Sequence, residues 1–167
     1  MSTIDLSKIS DKQYRFLTDG HRHVGYGGAR GGGKSWAVRT KAKILAAVYA
    51  GIKVLIVRRT YRELYNNHIN PLRKELHGLA KFNKSEKVFT FPNGSTINFG
   101  YCDCDGDLGQ YQGAEYDVIF LDEATQLQEA WIKEINACVR GVNNFPKRTY
   151  YTCNPGGASH GYIKRLF

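Results

Sequence analysis

The stretch that most constrains this chain is Gly27-Gly28-Ala29-Arg30-Gly31-Gly32-Gly33-Lys34-Ser35. From Gly28 to Ser35 it satisfies G-x-x-x-x-G-K-[ST], the spacing of a phosphate-binding loop. Backbone N–H groups have to approach phosphate oxygens closely in such a loop, and glycines leave the space and reach backbone conformations that side chains resist. In this arrangement Lys34 reaches the β- and γ-phosphates of a nucleotide as a point charge, and Ser35 holds Mg²⁺. The flanks agree: Val24-Gly25-Tyr26 reads as the end of a strand, and Ser35 to Ala50 as a helix whose N-terminus aims a positive dipole at the anion. A glycine-rich surface turn, the plainer reading, requires neither flank. The expected cofactors are ATP and Mg²⁺, held by Gly28, Ala29, Arg30, Gly31, Gly32, Gly33, Lys34, Ser35 and Trp36.

A second anchor lies downstream, where the apolar run Val118-Ile119-Phe120-Leu121 ends in Asp122-Glu123. A carboxylate at the tip of such a strand orients Mg²⁺ through its water shell, the role expected of Asp122. Glu123 is placed to polarise a water for attack on the γ-phosphate, the general-base work that hydrolysis needs. Paired acids after an apolar strand also begin helices, but coupled to the loop upstream the catalytic reading prevails. Arg148 to Thr152 reads as a further strand, ended by Cys153-Asn154-Pro155-Gly156-Gly157. A polar residue at the tip of a strand beside the acidic one can touch the attacking water or the γ-phosphate and report whether phosphate is present. The alternative for Asn-Pro-Gly is an ordinary turn.

The rest of the chain reads as an alternating α/β pattern with one interruption. Residues 4–17 are loosely helical, and Gln13 within them can read an adenine edge, since its amide both donates and accepts. The loop helix is expected to bury Trp36, Ala37, Ile44, Leu45 and Val48, to turn Arg39, Lys41 and Lys43 outward, and to stop at Gly51. Lys53 to Val57 is a continuous apolar run of the kind buried on both faces of a parallel sheet, with Arg58-Arg59 at its carboxyl end. Thr60-x-x-Glu63 forms a capping box, and Pro71 predicts a break into two short helices, about 60–68 and 71–80. Val88–Phe91 and Thr96–Phe99 flank Pro92-Asn93-Gly94-Ser95, a hairpin signal that breaks the strand–helix alternation. Cys102 to Gly109 reads as a solvated loop, because Ala114 stands where a calcium loop needs its bidentate glutamate. Thr125-x-x-Gln128 is expected to cap a last helix with Trp131, Ile132, Ile135 and Val139 inward and Gly141 as its stop.

At 167 residues, with 42% hydrophobic and 13% aromatic residues, the chain is expected to be one globular domain over residues 1–167. No stretch approaches the roughly 20 apolar residues of a membrane span, and the first residues lack the regions of a signal peptide. A cytosolic protein with no membrane partner is therefore expected. The net charge of +9 is uneven: residues 1–80 carry 15 Lys/Arg against 5 Asp/Glu, whereas residues 81–167 carry 9 against 10. A basic amino-terminal half suits a polyanion, nucleic acid first, although a solvated surface aided by nucleotide binding would look the same. Cys102, Cys104, Cys138 and Cys153 contain no C-x-x-C pair, so disulfides are not expected, and the spacing of Cys102 and Cys104 with His21 and His23 matches no common zinc site.

In their order these motifs resemble those of one family, the large terminase subunits of tailed phages, ATPases that drive DNA into a preformed capsid. The resemblance covers about residues 10–167. It rests on Gln13, the Gly-Ala-Arg-Gly-Gly-Gly-Lys-Ser loop, Val-Leu-Ile-Val-Arg-Arg-Thr, Phe-Pro-Asn-Gly-Ser-Thr-Ile-Asn-Phe, Gln-Gly-Ala-Glu-Tyr-Asp before Leu-Asp-Glu-Ala, and Thr-Cys-Asn-Pro. It implies a P-loop NTPase of the additional-strand, conserved-glutamate type, with a central mostly parallel sheet flanked by helices and a hairpin inserted near residues 88–99. Residue by residue, it makes Lys34 and Ser35 the phosphate and Mg²⁺ ligands, Asp122 the metal-orienting acid and Glu123 the base. It makes Thr152 and Asn154 the coupling motif, Gln13 the adenine contact, and Arg30 an arginine finger on the γ-phosphate from within its own subunit. Where some members carry a cross-subunit arginine this chain has Gln112, so that role is vacant or lies elsewhere, at Arg58 or Arg59.

The family implies double-stranded DNA, a portal protein and a small terminase subunit as partners, a homo-oligomeric ring for the full-length protein, and the host cell cytoplasm as location. Its members continue into a lid subdomain and a nuclease, which this sequence does not contain, so an amino-terminal ATPase fragment without nuclease activity is expected. Two other classes compete: a nucleotide-switched binding module with little turnover in isolation, and a helicase-like DNA translocase. The latter would continue Asp-Glu-x-Asp/His, which Asp122-Glu123-Ala124-Thr125 does not.

Overall fold

The computed structural model of the chain describes residues 4–167. Its centre is a seven-stranded sheet of order β1-β7-β6-β2-β5-β4-β3. Five strands run parallel: β1 (His23–Gly27), β7 (Arg148–Cys153), β6 (Val118–Leu121), β2 (Lys53–Arg58) and β5 (Thr96–Tyr101). Two short strands, β4 (Val88–Thr90) and β3 (Lys81–Asn83), add antiparallel at one edge. β7 lies between β1, which leads into the glycine-rich loop, and β6, which ends at Asp122. That interposed strand is the additional strand that the resemblance implies.

The central strands are apolar throughout because both faces are covered, and their alternation divides the core in two. Val54 and Ile56 of β2, Val118 and Phe120 of β6 and Tyr150 of β7 point to one cluster with Ala37, Val38, Leu45, Leu64 and Leu72. Leu55, Val57, Ile119, Leu121 and Tyr151 point to the other, with Trp131, Ile132, Ile135 and Ile163. The first layer holds α1 (Asp11–Thr18) and α2 (Lys34–Val48); the second holds α5 (Glu129–Asn136) and α6 (His160–Leu166). Phe120 stacks on Tyr150 at 4.8 Å between centroids, and Phe16 of α1 meets Tyr150 edge-on at 5.3 Å.

The inserted hairpin forms as read from Asn93-Gly94: Asn93 Oδ1 accepts from Ser95 N at 3.0 Å, and Phe91 N donates to Ser95 O at 2.9 Å. The expected helix over 71–80 is too long: it ends at Glu75, a turn follows, and Lys81–Asn83 then pairs with β4. The break expected at Pro71 is also absent. Helix α3 (Tyr61–Leu64) passes through a π-helical turn, Tyr65–Ile69, directly into α4 (Asn70–Glu75). In that wider turn Asn70 N–H returns to Tyr65 O. The carbonyl that Pro71 leaves without its donor, Asn67 O, accepts instead from Arg39 of α2 at 2.6 Å.

Further expectations are corrected. Lys41 is buried rather than outward, donating Nζ to Leu17 O at the end of α1 and lying 5.8 Å from the Tyr150 ring centroid, while Val48 is 66% exposed. Thr125 does not cap α5; it lies in a 3₁₀ turn, Ala124–Gln126, and donates to Asn154 O at 3.2 Å, and α5 ends at Asn136, well before Gly141. The stretch after Cys102 is not merely solvated: a 3₁₀ helix over Asp105–Tyr111 is tied down by Trp131 Nε1 donating to Asp105 at 2.6 Å, and Cys102 is buried.

Candidate nucleotide and metal site

The parallel strands end on one edge of the sheet, so the residues that follow them gather there although they are far apart in sequence. The glycine-rich loop follows β1, Arg58 closes β2, Asp122 and Glu123 follow β6, and Asn154 follows β7. The loop, Arg58, Glu123 and Asn154 line a cavity of ≈ 600 Å³ with Trp36, Glu63, Asn67 and Gln126, and Asp122 lies buried beneath it against Ser35.

Within the loop Gly33 has φ +69°, a left-handed backbone that favours glycine, and a Cβ there would push the side-chain amide of Gln13 aside. Gln13 closes a capping box with Ser10 at the start of α1 and donates Nε2 to Gly33 O at 3.4 Å, which brings its amide against the loop. Lys34, only 6% exposed, donates Nζ to Gly28 O at 3.0 Å, Ala29 O at 2.8 Å and Asn154 Oδ1 at 2.8 Å. Arg30 is exposed and has no side-chain hydrogen bond or ion pair among the described residues.

Asp122 is fully buried, and both of its oxygens are engaged. Oδ1 accepts from Thr152 Oγ1; Oδ2 accepts from Ser35 Oγ at 2.9 Å and from His68 Nε2 at 2.7 Å, with Arg58 Nη1 at 3.5 Å. Burial alone would raise this carboxyl, but the contacts with His68, Arg58 and Thr152 outweigh it and hold the group well below the usual carboxylate range. Burial pushes the His68 imidazole the other way, toward its neutral form, so Nε2–H donates to an ionised Asp122. The donor set suits Mg²⁺: one hydroxyl and one carboxylate, joined, as is usual for this ion, by phosphate oxygens and water. No group of three or more His, Cys, Asp or Glu side chains placed to hold a metal ion occurs among the described residues.

Glu123 adopts φ +56° and ψ +48°, a left-handed conformation that costs a residue with a Cβ roughly 1–2 kcal/mol. Its backbone N–H donates to Thr152 Oγ1 at 3.0 Å, which fixes this turn to β7. The half-buried carboxylate accepts from Asn154 Nδ2 at 2.9 Å to each oxygen. Burial and the neighbouring Asp122 charge raise Glu123, only partly offset by Arg58, Lys34 and Asn154. Asn154 therefore spans the site, with its carbonyl on Lys34 and its amide nitrogen on Glu123.

Residues 26–163 match the family described as Terminase large subunit, T4likevirus-type, N-terminal. The chain belongs to that family. Among solved structures, the large terminase of a thermophilic bacteriophage in complex with ADP gives a TM-score of 0.75 at 20% identity, over 95% of this chain and 42% of that one. The same protein in complex with ATP-gamma-S gives 0.72 at 20% identity, over 95% and 42%. The Thermus phage P74-26 large terminase ATPase domain gives 0.69 at 16% identity, over 90% of this chain and 66% of that one. These likenesses establish the P-loop NTPase fold, and the chain spans less than half the length of the thermophilic phage's terminase. No curated protein matches the chain.

Every site residue expected of this family lies at or against the cavity. Lys34, Ser35, Asp122, Glu123, Thr152 and Asn154 are joined through hydrogen bonds; Gln13 touches the loop from behind; Arg30 and Trp36 line the opening. Of the two arginines considered for the vacant cross-subunit role, Arg58 is 8% exposed and turned onto Asp122, and Arg59 pairs on the surface with Asp103 at 2.9 Å. Sequence reasoning missed His68 and the Thr125 link to Asn154. His68 carried no motif, and only the π turn brings it to Asp122.

Proposed function

We propose that the chain is the ATP-hydrolysing domain of a viral DNA-packaging motor, taking ATP with Mg²⁺ and coupling its hydrolysis to movement of double-stranded DNA. The observation that carries this reading is the Asn154 side chain, bonded at 2.8 Å to Lys34 and at 2.9 Å to Glu123. One residue thereby connects the cation assigned to the γ-phosphate with the carboxylate assigned to the attacking water.

In this reading the glycine-loop N–H groups and the α2 N-terminus bind the β- and γ-phosphates, and Lys34 exchanges carbonyl partners for phosphate oxygens. Ser35 and Asp122 hold Mg²⁺, which when bound neutralises charge on those phosphates. Glu123 accepts a proton from water as the water oxygen bonds to the γ-phosphorus; the bond to the bridging oxygen breaks, and ADP departs with its electron pair. A raised Glu123 suits a base that must take the proton up and later release it. Arg30, free to swing from the surface, meets the transition-state charge from within its own subunit, and Gln13 reads the adenine edge. Thr152 and Asn154 relay loss of the γ-phosphate to surfaces that grip DNA. By the same reading the full-length protein works as a homo-oligomeric ring in the host cytoplasm with a portal protein and a small terminase subunit, and the present residues carry no nuclease.

Steady-state ATP hydrolysis, measured with and without duplex DNA and with Glu123→Gln alongside, tests this. We expect Mg²⁺-dependent turnover stimulated by DNA, and a loss on the order of 10²–10⁴-fold in Glu123→Gln with nucleotide binding retained. Tight nucleotide binding with no turnover in any condition would point instead to a nucleotide-switched binding module.

A further inference from the structure

His68 is fully buried, sits in the π turn between α3 and α4, and places Nε2 2.7 Å from Asp122 Oδ2. Its other nitrogen, Nδ1, is buried with no partner among the described residues. A packing role would not leave a ring nitrogen orphaned in the core when a leucine would fill the same space, so the contact to Asp122 is what the position retains. The turn itself is anchored: Asn67 O accepts from Arg39 Nη1 at 2.6 Å, and Glu75 receives Arg39 Nε at 3.2 Å and Lys43 Nζ at 2.8 Å. The imidazole is thus carried on backbone tied to α2 beside it and again at the end of α4.

We infer that His68 is a positioning residue for the metal site, fixing the Asp122 carboxylate so that its remaining lone pairs face the Mg²⁺ water shell beside Ser35. This rests on the reading of Asp122 as the metal-orienting acid. Of the groups around Oδ2, Ser35 is itself a metal ligand in that reading, and Arg58 stands at 3.5 Å, so neither holds the carboxylate as His68 does once metal arrives. Outer partners of this kind act on metal affinity more than on the fold, typically by about 10–100-fold.

The test is Mn²⁺ binding by electron paramagnetic resonance in the presence of ATP-gamma-S, with metal-free ADP binding and the unfolding midpoint measured on the same samples. His68→Gln keeps a nitrogen donor at the reach of Nε2; His68→Asn keeps an amide whose nitrogen stops at the position of Nδ1. We expect His68→Asn to weaken Mn²⁺ by about tenfold and His68→Gln to stay within about threefold of the parent, both binding metal-free ADP as the parent does. Equal Mn²⁺ affinity in the parent and in folded His68→Asn overturns the inference, as does an equal loss in both variants. Should His68→Asn not fold, a tenfold loss in folded His68→Gln overturns it, and retention supports it. If the parent itself binds no Mn²⁺ with ATP-gamma-S, the metal-site reading of Asp122 falls, and the inference with it.

Discussion

Lys34 shows how one side chain can be both structural and chemical. Its ammonium is desolvated among two loop carbonyls and Asn154, so it is held in place ahead of the phosphates it is proposed to meet. Lys34→Ala should weaken ATP-gamma-S binding by roughly 10–100-fold, the worth of a charge-assisted contact, and isothermal titration against the parent checks it; unchanged affinity would remove the phosphate loop from the proposal. Arg30 is the contrasting case, exposed and with no partner that a fold requires. An arginine acting on the γ-phosphate is worth about 10³-fold or more in rate. In a ring-forming full-length protein, mixing Arg30→Ala with Glu123→Gln subunits should restore no hydrolysis, because each site lacks either its finger or its base. Recovery in the mixture would mean that Arg30 works across the subunit interface.

At the level of elements, the site depends on turns that cross from one strand end to the next. The segment after β6 and the segment after β7 are joined by Thr125 donating to Asn154 O, by Ser159 N donating to Thr125 O at 3.1 Å, and by Ser159 Oγ donating to Ala124 O at 3.0 Å. Gly157 makes this close approach possible: its φ is +103°, and a Cβ would collide with the Thr125 carbonyl. Since the obstacle is backbone, it cannot yield by a rotamer change. Gly157→Ala should cost about 1–3 kcal/mol of stability and, by displacing Asn154, lower ATP turnover while leaving nucleotide affinity near the parent value. Urea unfolding and steady-state kinetics on the same preparation would show it, and full turnover in a destabilised variant would separate the turn from the chemistry.

Over the whole molecule, the nucleotide is proposed to bridge three segments distant in sequence, the loop after β1 and the strand ends of β6 and β7, so binding should stabilise the domain as a unit. ATP-gamma-S at about 100 times its Kd adds about 2.7 kcal/mol by mass action, or roughly 5–10 °C in Tm for a domain of this size. Chelating divalent metal with EDTA should shrink that shift without abolishing it, since Lys34 and the loop N–H groups remain. A shift identical with and without EDTA would count against metal at Ser35 and Asp122. No helix among the described residues is long and apolar enough to cross a membrane.

The sequence by itself determined the parallel strands, the hairpin at Asn93-Gly94 and which residues are proposed to meet nucleotide and metal. These signals are local: apolar runs where strands are buried on both faces, and glycine, lysine and acid at spacings that the backbone alone brings to a strand end. What the tertiary structure decided lay between elements. Lys41 reads as a surface lysine until α1 ends above it with an unpaired carbonyl, and Pro71 reads as a helix break until Arg39 takes the acceptor that proline leaves open. Glu123 shows no strain in sequence because its left-handed backbone is imposed by Thr152 from another strand. His68 is one histidine among five until a π turn sets it against Asp122. Each of these depends on a partner more than twenty residues away, and no local pattern records which distant group will stand opposite.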